Sequence, residues 1–399
     1  MNPLLVSSFT ATTCIGRGLD RMLSSLHDSA SGLVPCRFET IDLQTWIGEV
    51  AGVDDTVPES GNAQFNCRNN RLAQLGLAQD DFCAAVEAAA GRLGRDRIGV
   101  FIGTSTAGIL ETELAYRRRD PVTGALPAGF DYAATHSPFS VADFVRRSLN
   151  LTGPVATISS ACSSSAKVFA SARRMMAAGL IDAAVLGGVD SLCLTTLYGF
   201  NSLELTSAKP CRPFAAGRDG ISIGEGAAFL LVEKVPARLD PDALLLLGVG
   251  ESSDAYHMSS PRPDGLGARM AMAGALAAGG VEPEAVDYIN LHGTATPSND
   301  AAEGNAVAAL FGDGTACSST KGATGHALGA AGGIEAVIAL LALRHGFVPA
   351  GVNTGALDPS IHIDYAVERR SRPVGCALSN SFGFGGTNCS LLFGRAVRR

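Results

Sequence analysis

One cysteine, Cys162, stands in TISSACSSSAKVFASARRMMAAG (157–179), a run of small side chains where a strand-like stretch gives way to a helix-like one. With VATISS as a strand and the following serines opening a helix, the thiol meets a helix N-terminus, where unpaired N–H groups and the positive dipole end favour an anion. A free thiol with a pKa near ~8.5 is only a few per cent ionised at neutral pH, and each unit of depression favours the thiolate by about 1.4 kcal/mol. The expectation is a thiolate nucleophile with room for a second group against its sulfur.

Two histidines lie in turns of similar character. NLHGTATPSND (290–300) sets His292 at the end of a predicted strand, with Thr294 and Thr296 two and four residues on. SSTKGATGHALGAAGGIE (318–335) sets His326 just ahead of a helix, with Lys321 upstream and Glu335 nine residues downstream. Glycine- and threonine-rich turns at element ends are where α/β proteins place their chemistry. SNSFGFGGTN (379–388) is a fourth such turn, and its glycines allow backbone N–H groups to converge on a ligand.

The elements that must carry these turns alternate along the chain. Buried strands are predicted at 98–105, 155–160, 183–190, 227–235, 286–293 and 376–381. Helices are predicted from Ser163 to Ala178, Gly267 to Ala278 and Ala327 to His345, each stopped by glycine, and another capped by Asn299 or Asp300 reaches Phe311. Residues 110–150 loosen into a Pro/Gly/aromatic segment suited to a cap or partner-facing insertion, and RPFAAGRDG (212–220) reads as a long loop. No composition break marks a linker. Two closely packed halves are expected, 1–240 with the cysteine and the cap, and 241–399 with both histidines.

Composition bounds the rest. The chain has 399 residues, 46% hydrophobic and 17% charged, enough for a substantial core, and its 47 glycines suit a layered α/β protein better than a helical bundle. A net charge of −7 argues against a nucleic-acid scaffold, although Arg117–Arg119 and the pair Arg68 and Arg71 form local basic clusters. Ten cysteines without a C-x-x-C pair, and no metal-ligand spacing, indicate neither a zinc site nor a disulfide framework, so a reducing compartment, the cytoplasm, is expected. The N-terminus lacks a cationic lead-in, and no run approaches the ~18 apolar residues of a membrane span.

Three patterns point elsewhere and fail on context. GISIG (220–224) has the G-x-S-x-G spacing of serine hydrolases, but a loop precedes it and a strand follows. Ser164–Lys167 and Ser318–Lys321 fit S-x-x-K without the S-D-N or K-T-G partners of penicillin-recognising enzymes. FGFGG lacks the G-x-G-x-x-G spacing of a dinucleotide site.

Taken together, SACSSS, LHGTATP, STKGATGHALGAAGG and NSFGFGGTN, with SDAYHMSSP (253–261) and RPFAAGRDG, resemble the elongating β-ketoacyl-acyl carrier protein synthases over nearly the whole chain. That resemblance implies a thiolase-like fold: an α/β, five-layered αβαβα sandwich of two similar halves, usually a homodimer, with a heterodimer as the alternative. It implies that Cys162 takes an acyl group from a carrier-protein thioester and that a malonyl-carrier thioester then loses carbon dioxide and attacks that group. The backbone N–H groups of Cys162 and Phe384 would form the oxyanion hole, and His292 and His326 would stabilise the enolate. Lys321 and Glu335 match an ion pair that fixes the second histidine. Thr294, Thr296 and Ser260 match phosphopantetheine contacts. Phe384 matches a gate with Phe382 beside it, and Thr106 falls at a position that sets chain length. No resident cofactor or metal is implied, since phosphopantetheine arrives on the acyl carrier protein.

Non-elongating relatives differ at these positions. Non-catalytic partner subunits carry glutamine at the nucleophile, starter-type synthases pair cysteine with histidine and asparagine, and biosynthetic thiolases carry a second cysteine in the terminal turn. Lys-Gly-Ala stands here for the commoner Lys-Ser-Met before His326. A basic carrier-docking position after GF (199–200) is lost in NSLEL, which leaves Arg117–Arg119 and Arg68 or Arg71 to meet an acidic carrier. Fatty-acid elongation is the main expectation. A specialised polyketide or aryl polyene ketosynthase shares every motif, and a non-catalytic heterodimer partner is the alternative of a different class.

Overall fold

The computed structural model describes residues 2–396. Its principal strands are β1 (Leu4–Thr13), β2 (Ile98–Gly103), β3 (Val155–Ile158), β4 (Ala183–Asp190), β5 (Gly226–Lys234), β6 (Leu244–Ser253), β7 (Tyr288–Asn290), β8 (Ala316–Ser318), β9 (Asp364–Tyr365), β10 (Cys376–Gly383) and β11 (Thr387–Arg395). They hydrogen-bond in the order β9-β8-β7-β10-β11-β6-β1-β5-β4-β2-β3.

One pairing pattern occurs twice. In the first half β1 runs antiparallel to β5 and β5 to β4, after which β4 is parallel to β2 and β2 to β3. In the second, β6 runs antiparallel to β11 and β11 to β10, after which β10 is parallel to β7 and β7 to β8. The halves join where Leu4–Val6 pair with Leu244–Leu246, and the chain crosses between them after Lys234 and before Leu244.

Helices fill the layers around these sheets: α1 (Arg68–Leu77), α2 (Ile109–Arg117), α3 (Phe139–Ser148), α4 (Ser164–Ala177), α5 (Leu266–Gly279), α6 (Pro297–Phe311) and α7 (Ala331–His345). α4 and α7 pack on each other between the sheets, α1 and α3 cover the first half from outside, and α5, with α6 against it, covers the second. This is an αβαβα sandwich of two matched halves. Every residue of α7 from Ala331 to Leu343 is buried, so its sequence is apolar on all faces, as a helix between two sheets requires. Leu328–His345 has the length and apolarity of a membrane-crossing helix, but 89% of it is buried inside the molecule.

Close approach of α4 to the strands depends on glycine. A Cβ at Gly103 would lie 2.3 Å from the Ser165 nitrogen, and one at Gly188 would lie 2.5 Å from the Ser165 Cβ and 2.8 Å from the Ala330 Cα. The ends of β2 and β4 therefore let the helix bearing the cysteine press against the start of α7.

Several elements differ from their expected bounds. β7 keeps only Tyr288–Asn290 of the expected 286–293, because the chain then bends into the turn where Gly293 has φ 38°. The helix expected from Ala327 opens as a tight turn, Leu328–Ala330, with Leu328 at φ 48°, and becomes α-helical at Ala331. The segment 110–150 carries α2 and α3 around an irregular stretch rather than being loop throughout. β1, β6, β8, β9 and β11 lie outside the strands expected from sequence.

Candidate active site

Cys162 lies at the tight connection from β3 to α4. Ala161 takes a left-handed φ of 50°, a conformation that costs an L-residue roughly 1–2 kcal/mol. The Ser164 N–H and hydroxyl both donate to the Ala161 carbonyl, at 3.1 and 2.6 Å, and hold the turn. The three serines after the cysteine thus close a turn compact enough for the sulfur to face His326.

The His326 Nε2 lies 3.1 Å from the Cys162 Sγ. The His292 and His326 rings stand 5.3 Å apart at 83°, and the sulfur and a ring nitrogen of each histidine all lie within 4.8 Å of one another. All three side chains are buried. The same trio has the donor types of a soft-metal site, yet a cation there would tie up the thiol itself.

Lys321 is 1% exposed, donates to the Glu335 carboxylate and the His292 carbonyl, and places Nζ 3.5 Å from the His292 Nδ1. An ammonium has no acceptor to offer, so it can only donate to Nδ1, which leaves Nε2 of His292 carrying the proton. This corrects the sequence expectation: the ion pair touches the first histidine, His292, rather than the second. Glu303 steadies the same histidine, accepting from the His292 and Gly293 N–H groups at 2.8 Å each and from the Asn380 amide at 3.1 Å.

Electrostatics at the thiol also depart from expectation. Burial pushes the Cys162 thiol up to about 11; Lys321 and the backbone N–H groups of Phe384 and Cys162 pull against the rise, while Asp190 adds to it. Loss of water outweighs the helix terminus, and the resting group is a thiol rather than a thiolate. Both histidines are held well below the ordinary imidazole value, first by burial and then by Lys321, so both rings are neutral. A neutral imidazole at 3.1 Å can take the thiol proton as the sulfur attacks.

The backbone N–H groups of Phe384 and Cys162 are both among the groups that draw the thiol's pKa down. The glycine-rich turn can approach because a Cβ at Gly383 would come within 3.2 Å of the Cys162 nitrogen. Phe384 packs on Phe200 at 5.6 Å, and Phe382 lies 5.9 Å from His292. The Asp254 N–H donates to the Gly386 carbonyl at 2.8 Å, and the Asn388 amide donates to the Asp254 carboxylate at 2.7 Å, which ties SDAYHMSSP to this turn.

A cleft of about 590 Å³ leads to the three reactive side chains. Thr294, Thr296 and Ser260 line it along with Phe382 and Phe384, and the Thr294 and Thr296 hydroxyls bond each other at 2.8 Å. Phe200, which packs on Phe384, lines it too, with Leu205 and Ile221, as an apolar wall. Thr106 is not brought to this cleft: it is fully buried, its hydroxyl donating to Asp190 at 2.9 Å and accepting from the Ser191 N–H at 3.1 Å. Arg68 is likewise withdrawn from the surface. It is 2% exposed and held by Glu225, Asp54 and Glu49, so it cannot meet a carrier protein. Ser222 of GISIG is buried, and its hydroxyl accepts from the Cys211 N–H at 3.0 Å.

Two matched α/β halves around a buried Cys–His–His cluster define a thiolase-like condensing enzyme. The beta-ketoacyl synthase N-terminal domain matches residues 74–237 and its C-terminal domain residues 245–355. The 3-oxoacyl-[acyl-carrier-protein] synthase 2 of Synechocystis sp. is 33% identical, with 98% of this chain and 97% of that one aligned. Nodulation protein E of Rhizobium meliloti is 36% identical over 74% of this chain and 75% of its own. Among solved structures, a ketosynthase complex with its chain length factor from Xenorhabdus doucetiae matches at TM-score 0.90 and 35% identity, covering 99% of this chain and 98% of that one. The chain belongs to the beta-ketoacyl synthase family and is an acyltransferase of the thiolase-like fold.

Proposed function

We propose that the protein is a 3-oxoacyl-[acyl-carrier-protein] synthase that extends acyl chains by decarboxylative Claisen condensation, in fatty acid elongation. The observation that carries this reading is the 3.1 Å contact between the Cys162 Sγ and the His326 Nε2, with His292 across the same space.

In the first half-reaction the thiol proton passes to the His326 Nε2 and the sulfur attacks the acyl carbonyl of a carrier-borne thioester. The oxyanion is received by the N–H groups of Cys162 and Phe384; it collapses, the pantetheine C–S bond breaks, and the departing thiolate takes the proton back from His326. In the second, His326 enters as its Nε2–H tautomer, its one ring proton having exchanged from Nδ1 to Nε2 through solvent after acyl transfer; a malonyl thioester loses carbon dioxide and the freed electron pair becomes an enolate, whose oxygen accepts from the Nε2–H groups of His292 and His326. The enolate carbon attacks the acyl carbon, the bond to Cys162 breaks, and the sulfur leaves as thiolate to be reprotonated.

Thr294, Thr296 and Ser260 hold the pantetheine arm, Phe384 gates the thiol with Phe382 beside it, and the apolar wall takes the acyl chain. The enzyme needs no resident cofactor or metal, because phosphopantetheine comes with the acyl carrier protein. An acidic carrier docks on Arg117–Arg119, all three exposed. The protein works in the cytoplasm, where its ten free cysteines stay reduced. It acts as a homodimer paired through β3, an edge strand whose outer N–H and C=O groups face no neighbour in the sheet order.

A second reading, a ketosynthase of a specialised polyketide or aryl polyene pathway, is favoured by the 35% identity to a chain of the ketosynthase–chain length factor complex. Purified protein given a panel of acyl-carrier proteins with malonyl-carrier protein separates the two. Saturated 3-oxoacyl products of graded length support elongation; turnover confined to polyunsaturated or polyketo chains, or requiring a second subunit, supports the alternative. No product with any acyl carrier overturns both.

A further inference from the structure

Asp190 is a buried acid to which the proposed mechanism gives no role. Asp190 ends β4, is fully buried, and its carboxylate gathers donors from two directions. Oδ1 accepts from the Thr104 hydroxyl at 2.7 Å, the Ser105 and Thr106 N–H groups at 2.8 Å each, and the Thr106 hydroxyl at 2.9 Å. Oδ2 accepts from the Ser105 N–H and the Ala330 N–H, both at 3.1 Å.

We propose that Asp190 is a positioning residue for the condensation: one carboxylate fixes both the turn that presents Cys162 and the turn that presents His326. The inference rests on the reading of Cys162 as nucleophile with His326 beside it. On one side, Ser105, held by Asp190, donates its hydroxyl to the carbonyl of Ala161, the residue before the nucleophile, at 3.4 Å. On the other, Ala330 closes the tight turn between His326 and α7. That turn is shaped to press on the acid, for a Cβ at Gly329 would lie 2.8 Å from the Asp190 Oδ2 and 2.7 Å from the Ser105 Oγ.

Every partner named for this carboxylate is a donor, so the ionised form is the one the cluster accommodates, against the upward pull of burial. Its charge is met by hydrogen bonds rather than by a cation among the ion pairs of the described residues. An amide in its place keeps the shape but can accept at one atom only, so either the Ala330 bond or the Thr104–Thr106 set is lost.

Two variants test the proposal, with turnover expressed per folded molecule. In Asp190→Asn, kcat for condensation falls about 10- to 100-fold while KM for the carrier substrates stays within about twofold, since misplaced reacting groups cost rate rather than binding. The pH midpoint for iodoacetamide alkylation of Cys162 also moves down, because the carboxylate that pushes the thiol up is gone while Lys321, which pulls it down, and the neutral His292 and His326 remain. In Gly329→Ala, kcat falls by a similar factor with the charge kept, so the alkylation midpoint stays where it is in the wild type. Wild-type kcat in Gly329→Ala, or in a folded Asp190→Asn, overturns the proposal, and so does a loss of rate that only follows the folded fraction. Should Asp190→Asn fail to fold, Gly329→Ala decides alone. Absence of an acyl adduct on wild-type Cys162 would instead overturn the functional reading.

Discussion

At Cys162 a helix N-terminus and a nearby ammonium favour the anion, and burial opposes both and wins. The thiol pushed up to about 11 therefore titrates above a free cysteine, and its alkylation rate should keep rising with pH to about 11. The sign for stability follows: between roughly pH 8.5 and 11 the unfolded chain releases this proton and the folded chain retains it, so Cys162 makes stability fall as pH rises through that window. A Cys162→Ala variant loses that share of the slope while other buried cysteines such as Cys67, Cys193 and Cys211 keep theirs, a shallower slope that urea denaturation across the pH range would detect. His292→Ala and His326→Ala should each lower condensation by ~10²–10³, the usual loss for one oxyanion donor. Lys321→Met leaves Glu335 buried without its partner, and the carboxyl, pushed up to about 7 even beside Lys321, should take up a proton at neutral pH, so denaturant unfolding should show a loss of about 1–3 kcal/mol that grows as pH rises. The cysteine and both histidines were legible because the serine-rich turn of the one and the glycine-rich turns of the others are local in sequence. The thiol's protonation and the histidine that Lys321 touches were not, since burial and cross-strand neighbours are tertiary facts.

Among the elements, the contact between α4 and α7 sets where the sulfur meets the imidazole. Gly188→Ala would push its Cβ into Ser165 and Ala330, so it should destabilise the fold by about 1–3 kcal/mol and lower turnover together, as measured by thermal unfolding and steady-state assay. Helix positions were readable from apolar runs closed by Gly179, Gly280 and Gly346, each with positive φ. β1 and β11 escaped because polar residues interrupt their patterns, whereas β6 opens on the unbroken apolar run Leu244–Val249 and carries the signal of a buried strand. Thr10 donates to Asp80 at 2.7 Å and Ser390 to Asn380 at 2.8 Å, and these partners, distant or on a neighbouring strand, are what make a polar residue acceptable inside a sheet. Glu303 escaped as well, although it sits on the same buried stripe of α6 as Asn299, Ala302 and Ala306, where an acid among small residues was the available signal.

For the whole molecule, the repeated strand order brings one nucleophile and two donors, from opposite halves of the chain, to a single cleft. Charge on the surface is then free to recognise the carrier, and Arg118→Glu should weaken carrier binding more at low salt than at high salt, as titration at two ionic strengths would show. Arg68→Glu should instead unfold the protein around Glu225, because its guanidinium is an interior group. Pairing through β3 should give a sedimenting species of twice the chain mass. The most direct measurement is intact-protein mass spectrometry with peptide mapping after mixing with an acyl-carrier protein, followed by a chase with malonyl-carrier protein. The account predicts one acyl group on Cys162 that disappears during the chase as 3-oxoacyl product and carbon dioxide form. An acyl group on another residue, or one on Cys162 that survives the chase in a protein that remains folded, would contradict it.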